Sequence, residues 1–313
     1  MIVSDLGLIS TVIPAYNYGR FVCEAVDSVL RQTYRGGLEV VVVDDGSTDD
    51  TRARLAPYGD RIRYVHQPNR GLPGARNTGI HAARGEWIGL LDADDVIHPQ
   101  LYEVLAGVVA RTGVDLVSSG AVHDLAELAP PLATSPAVHR VALEELFWSS
   151  PLSASGTLVR KAALLDVGGF DETLRAVEDR DMWLRLAVDR SLAVCDEARG
   201  YFYRLHPGQM NRDPERMRVS FERVLEKFFA EHPAHAHHRT LAYGFLHLDT
   251  AICWVEKGGR REAARHLLRS LRLRPWMPAS AGRFSSVTRL KILARLAVGE
   301  RVFRLFSRAA ATR

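Results

Sequence analysis

Cysteine is scarce in this 313-residue chain, and what is missing around it narrows the reading first. Cys23, Cys195 and Cys253 are scattered, odd in number and without metal-ligand spacing, which argues against a disulfide framework or a zinc module and for reduced thiols in a cytoplasm. No uncharged apolar run reaches the ~18 residues of a membrane span. The opening "MIVSDLGLISTVIP" has no basic leader, so a signal peptide is not expected. Hydrophobic content of 47% with 25% charged residues fits a soluble globular chain with ample core, localised to the cytoplasm or peripherally at the inner face of a membrane. Acid is scarce at one end. Residues 260–313 hold 14 Lys and Arg against Glu262 and Glu300, a net +12 in a chain of net +4, so residues 1–259 carry −8. A basic tail on an acidic body suggests an anionic partner, or simply a solvated helical face.

The first hundred residues alternate in period. Near-continuous Val, Ile and Leu runs at 8–14, 38–45, 62–67 and 86–93 read as strands covered on both faces. Helix signals fall between them at 20–32, 48–57 and 74–83. Ser47 or Thr48 is placed to cap the second helix, with Asp49 and Asp50 in its first turn. Repeated strand–helix units predict an open α/β, mostly parallel Rossmann-like sheet.

Polar residues then gather at strand ends. "PAYN" (14–17), "DDGS" (44–47) and "DADD" (92–95) each follow a strand, and ligands of such sheets bind beyond the strands' carboxyl ends. Several carboxylates side by side call for a positive partner. If the backbone stays extended, Asp92 and Asp94 face one way and Asp95 the other. Two hard oxygen donors suit Mg²⁺ or Mn²⁺ with positions open for phosphate oxygens. Taken singly, DxD is commonly a solvated turn and "DDGS" an Asx-turn; their joint placement after successive strands carries the reading.

Together, "STVIPAYNYGRFVCEAVDSVLRQTY" (10–34), "VVVDDGSTDDT" (41–51), "HQPNRGLPGARNTGIHAARGEWIGLLDADD" (66–95) and "SGTLVRKAALLDVGGFDETLRAVEDRDMWLRLA" (155–187) resemble the family-2 glycosyltransferases, inverting enzymes of GT-A fold, over roughly residues 8–206. The resemblance implies a nucleotide-diphosphate sugar donor, a UDP-sugar foremost, and a hydroxyl acceptor on a glycan, lipid or small molecule. Nucleotide-binding residues would be Pro14, Ala15, Tyr16, Asp45, Arg76, Asp92 and Ala93, with Tyr16 stacking on the base and Arg76 on the ribose-phosphate side. Asp94 would be the principal metal ligand, with Asp92 and His206 beside it. Asp179 would be the general base of an inverting displacement, with Glu178 an acceptor contact or orienter. Arg204 and Arg212, in the same loop as His206, are expected as alternative phosphate contacts.

The expected domains are 1–212, with a nucleotide-binding half at about 1–120 and an acceptor half at about 121–212, and a helical extension at 213–313. In the extension, 214–233, 239–259 and 260–275 show helical spacing, the last two as one helical hairpin. The His-rich "EHPAHAHH" reads as a linker. Residues 281–313, net +7 and interleaved with Leu290, Leu293, Leu296, Phe303 and Phe306, read as an interfacial helix on anionic lipid or as a helix packed on its own domain. No nucleic acid partner is expected. Two rival functions are a sugar-phosphate nucleotidyltransferase, for which "PAYNYGR" is a poor phosphate loop, and a catalytically silent nucleotide-binding scaffold.

Overall fold

The computed structural model describes residues 5–206, 213–277 and 286–298. The chain divides into two compact units, one of Met1–Leu143 and Ser150–Gln209, the other of Glu144–Ser149 and Met210–Arg313.

The first unit opens with β1 (Ile9–Ala15), α1 (Val22–Leu30), β2 (Leu38–Asp44), α2 (Thr51–Leu55), β3 (Arg63–His66), α3 (Gly71–Ala82) and β4 (Trp87–Leu90). It continues through β5 (Val96–Ile97), α4 (Leu101–Thr112), β6 (Leu116–Val122) and β7 (His139–Val141). A one-turn helix α5 (Leu143–Leu146), which from Glu144 on belongs to the second unit, precedes β8 (Thr157–Arg160), α6 (Lys161–Asp166), α7 (Glu178–Asp189) and β9 (Leu192–Phe202) of the first. The sheet runs β3-β2-β1-β4-β8-β6-β9-β5, with β7 on β9. All seven residues of β1 are buried, as expected for a strand covered on both faces. The β3-β2-β1-β4 half is wholly parallel. Beyond it the sheet is mixed: β8 is antiparallel to both β4 and β6, while β6 and β9 are parallel. Close approach of α3 to β1 explains Gly79, where a Cβ would sit 2.3 Å from Val12 Cγ1.

Helix α2 is shorter than its pattern predicts, and neither Ser47 nor Thr48 caps it. Those residues serve the preceding loop instead. Ser47 N donates to Asp44 Oδ1 at 2.8 Å, an Asx-turn, and Asn17 Oδ1 accepts from Thr48 N and Asp49 N at 2.7 and 3.2 Å. Asp49 and Asp50 accordingly precede the helix, which starts at Thr51.

The second unit holds α8 (Pro214–Glu231), α9 (Arg239–Glu256), α10 (Arg260–Leu273) and α11 (Ser286–Val298). The apolar stripe Phe221, Val224, Leu225, Phe228 and Phe229 of α8 is buried, and Phe147 stacks on Phe229 with ring centroids 5.4 Å apart. The His-rich linker is a short 3₁₀ helix, Pro233–His238. His247 of α9 and His266 of α10 are buried together, Nδ1 to Nδ1 at 3.1 Å. On α11, the buried Arg289 donates to Ser270 Oγ at 2.6 Å and Pro275 O at 2.9 Å, and also to Arg274 O, which satisfies acceptors at the end of α10. Residues 281–285 and 299–313 of the expected interfacial helix lie outside the described residues. Among the described residues no helix is long and apolar enough to cross a membrane.

Candidate active site

At the carboxyl ends of β1, β2 and β4, the site is built largely from side chains that hold one another. Tyr16 stands exposed past β1, 46% accessible, and Pro14 and Ala15 lie in buried β1 itself, paired with Val43 and Asp44. Asp45 follows β2 with both oxygens engaged. Oδ1 accepts from Gln67 Nε2 and Arg70 N at 2.7 and 2.8 Å, and Oδ2 from Gly71 N at 2.8 Å. It thereby anchors the start of α3, where a carboxylate meets the positive end of the helix dipole.

Helix α3 carries Arg76 into the interior, 2% exposed rather than on a surface. Nη2 reaches Asp92 Oδ1 at 2.7 Å, Nη1 reaches Glu178 Oε1 at 2.6 Å, and the guanidinium lies 5.2 Å from the Phe170 ring centroid. Burial works against its charge, yet Asp92 and Glu178 together raise its proton affinity above that of an ordinary arginine. One cation therefore ties the carboxylate after β4 to the carboxylate at the head of α7, 102 residues from Arg76 in sequence. Beside it, Asn77 donates to Phe170 O and accepts from Phe170 N, both at 2.8 Å, locking the approach to α7.

The acidic run after β4 departs from the extended geometry its sequence suggests. Ala93 and Asp94 form a turn closed by Asp95 N donating to Asp92 O at 3.1 Å, so the strict alternation of side chains does not apply. The carboxylates take separate partners: Asp92 takes Arg76, while Asp94 Oδ2 lies 2.8 Å from His206 Nε2. Asp95, 1% exposed, accepts from Arg204 N at 3.0 Å. Burial, then the charge of Asp92, pushes Asp94 upward, with His206 opposing; burial with both neighbouring carboxylates pushes Asp95 well up.

Around His206 stand the rings of Tyr18 and Phe21, at 6.0 and 5.6 Å. Burial, followed by the nearby Asp94 and Asp92, raises the Tyr18 phenol. Arg204 spans Glu24 at 2.7 Å and the Asp94 carbonyl at 2.8 Å, and Arg212 lies outside the described residues.

Glu178 and Asp179 begin α7 immediately after Val177, whose φ of 56° is left-handed. A buried β-branched residue there is strained by roughly 1–3 kcal/mol, and such strain concentrates at functional sites. Asn17 is the other non-glycine residue with positive φ among the described residues, and it too borders the crevice. Burial foremost, then the adjacent Glu178 charge, pushes Asp179 up to about 6 against the pull of Arg76. A half-buried carboxylate poised near neutral pH is suited to general-base work.

Asp94 and His206 converge as a hard oxygen and an imidazole nitrogen, and Asp92 keeps one oxygen off Arg76. A divalent cation bound with substrate phosphates needs only one or two protein carboxylates, and this donor set fits one. Among the described residues there is no group of three or more side chains able to hold a metal alone.

Residues 10–134 match the family described as Glycosyl transferase family 2. Over that stretch the chain is similar to family-2 glycosyltransferases. An uncharacterized glycosyltransferase of Rickettsia prowazekii is 32% identical over 187 residues, 57% of this chain and 58% of that relative. The chain thus spans little more than half that relative's length. Among solved structures, Staphylococcus aureus TarS 1–349 in complex with UDP-GlcNAc matches with a TM-score of 0.65 at 19% identity, over 92% of this chain and 87% of that one. The mannosyltransferase PcManGT of Pyrobaculum calidifontis, with GDP-Man and Mn²⁺, matches with a TM-score of 0.57 at 21% identity, over 97% and 84%. These structural likenesses establish the GT-A type α/β fold.

The sequence-predicted residues Asp92, Arg76 and Glu178 are joined, as are Asp94 and His206. Tyr16, Pro14 and Ala15 stand at a strand end without a hydrogen bond to that network. Sequence reasoning missed Asn17, Tyr18, Asn77 and Phe170. Asn17 sits at a turn inside a quoted motif, where an asparagine is the available signal, while Asn77 lies mid-helix in α3 and offers none.

Proposed function

We propose that the chain transfers a sugar from a nucleotide-diphosphate donor to a hydroxyl acceptor with inversion, assisted by Mn²⁺ or Mg²⁺. The observation that carries this is the Arg76 bridge, with Nη2 on Asp92 and Nη1 on Glu178, because it joins the donor end of the crevice to the acid pair at the head of α7. Tyr16 offers an exposed ring for the base, and Asp92 a carboxylate for the ribose side. UDP-GlcNAc in the TarS complex and GDP-Man in the mannosyltransferase support a nucleotide-sugar donor, with a UDP-sugar as the first candidate.

Asp94 and His206 would hold the cation, with Asp92 adjacent. When bound, it would neutralise charge on the leaving diphosphate. Asp179 takes the proton of the acceptor hydroxyl. The acceptor oxygen bonds to the anomeric carbon as the bond from that carbon to the phosphate oxygen breaks, and the electron pair leaves with the nucleoside diphosphate. Glu178, fixed by Arg76, orients the acid pair. One base on the acceptor side suits a single in-line displacement.

The test is donor binding and transfer by Asp94→Asn, with and without Mn²⁺. The variant is expected to lose turnover and to bind the donor more weakly than the parent only when Mn²⁺ is present. Equal metal-dependent binding in both proteins would remove Asp94 from the ligand set.

A further inference from the structure

Arginines in the two units differ in their company. In the first unit Arg70, Arg76, Arg84, Arg185, Arg199 and Arg204 each lie within ion-pair distance of a carboxylate. Helix α10 has the opposite pattern. Its buried stripe is Ala263, His266, Leu267 and Ser270, which leaves Arg261, Arg265, Arg269 and Arg272 on the exposed side. Spacings of three and four residues set Arg261, Arg265, Leu268 and Arg272 in one row, with Arg269 and Leu273 in the next. Among the described residues none of these four arginines pairs with a carboxylate. Glu262 is the one acid of the helix.

Apolar groups interrupt this cationic face. Leu268 is 53% exposed, Leu273 38%, and Trp276, three residues beyond the helix end, 79%. Single exposed leucines are ordinary. Two leucines and a tryptophan within nine residues, set among unpaired arginines, are what a headgroup layer matches: anionic phosphates for the guanidiniums, and an apolar boundary just beneath for Leu and Trp.

We propose that the α10–Trp276 surface docks on an anionic lipid bilayer. It involves residues 261–276 and not the 281–313 stretch to which the charge of the sequence first points. It is also independent of the proposed chemistry, since every residue of the crevice belongs to the other unit. A polyanion such as RNA would satisfy the arginines but gives Leu268 and Leu273 no apolar layer.

The experiment is flotation of the full chain with vesicles of phosphatidylcholine alone and of phosphatidylcholine mixed with phosphatidylglycerol. Binding is expected only to the anionic vesicles, with a blue shift in tryptophan emission that Trp276→Ser removes. Each basic side chain near an anionic surface is worth about a factor of five, so Arg265→Glu/Arg269→Glu should weaken binding at least tenfold. Arg265→Lys/Arg269→Lys, which keeps the charge, should bind nearly as the parent does, separating lost attraction from lost folding. The proposal is overturned if the parent binds neutral vesicles equally, if the charge-reversed pair binds like the parent, or if the chain ignores both vesicles. Retention of single-stranded RNA in the absence of vesicle binding would assign the surface to nucleic acid instead.

Discussion

In the first unit the guanidinium of Arg76 is buried between Asp92 and Glu178, whereas on α10 of the second Arg261, Arg265, Arg269 and Arg272 are exposed and, among the described residues, pair with no carboxylate. The same side chain serves internal organisation in one place and is left for an external partner in the other. A buried ion pair is weak evidence of net stability, but breaking one strands a charge. An exposed arginine can be replaced at little cost to the fold.

That contrast is open to direct attack. Arg76→Leu leaves Asp92 and Glu178 without their cation and should destabilise by about 3–5 kcal/mol. Arg265→Glu/Arg269→Glu should stay within roughly 0.5 kcal/mol per site of the parent. Denaturant unfolding of both variants checks this, and comparable losses would erase the distinction.

Acid sharpens the comparison, because one buried group in each unit responds with opposite sign. In the second unit burial foremost, then His266, lowers His247 to about 4. The unfolded chain therefore takes up the proton first, and stability should fall as pH drops from about 6.5 toward about 4, by on the order of 3 kcal/mol. In the first unit Asp179 is raised to about 6 in the fold, so its contribution runs the other way and is lost as pH climbs through that value. His247→Leu/His266→Leu should flatten the acid-labile limb in a stability profile, and an unchanged limb would mean that the histidine pair does not cause it. Asp179 should also set an acidic limb near pH 6 in the transfer rate, with activity lost below it, and a profile flat from pH 5 to pH 8 would contradict a base poised as described.

A smaller effect is expected at the rim. Asn17→Ala removes the acceptor for Thr48 N and Asp49 N and places alanine at a φ of 58°, for a loss of about 1–2 kcal/mol. Asn17→Gly keeps the backbone conformation and should lose less, and calorimetric melting of the two variants ranks them.

The parts legible in the sequence were those with short-range signals. Strands β1, β2 and β4 announced themselves through two-sided apolar runs, and "DADD" and "VEDRD" through carboxylates placed after a strand and before a helix, whereas β3, expected to be covered on both faces, is an edge strand with no buried residue. What stayed hidden was long-range or conformational. No local pattern shows that Arg76 would reach Glu178, 102 positions away, or that Asn77 would grip Phe170, 93 positions away. Nor does it show the turn at Ala93 and Asp94, since an apolar run gives no sign of where extension stops. The antiparallel entry of β8 was equally invisible, because strand direction depends on the connection and not on the strand's own residues. Val177 looks like any core valine until its φ is known.

The central claim is that the Arg76-linked crevice carries donor recognition at one end and a proton-accepting carboxylate at the other. Asp179→Asn keeps shape while removing basicity, so side-by-side donor affinity and transfer rate of this one variant test the claim most directly. The account predicts donor affinity close to the parent's with transfer reduced ~10²-fold or more. Donor binding that falls in parallel with rate, or transfer that survives intact, would contradict it.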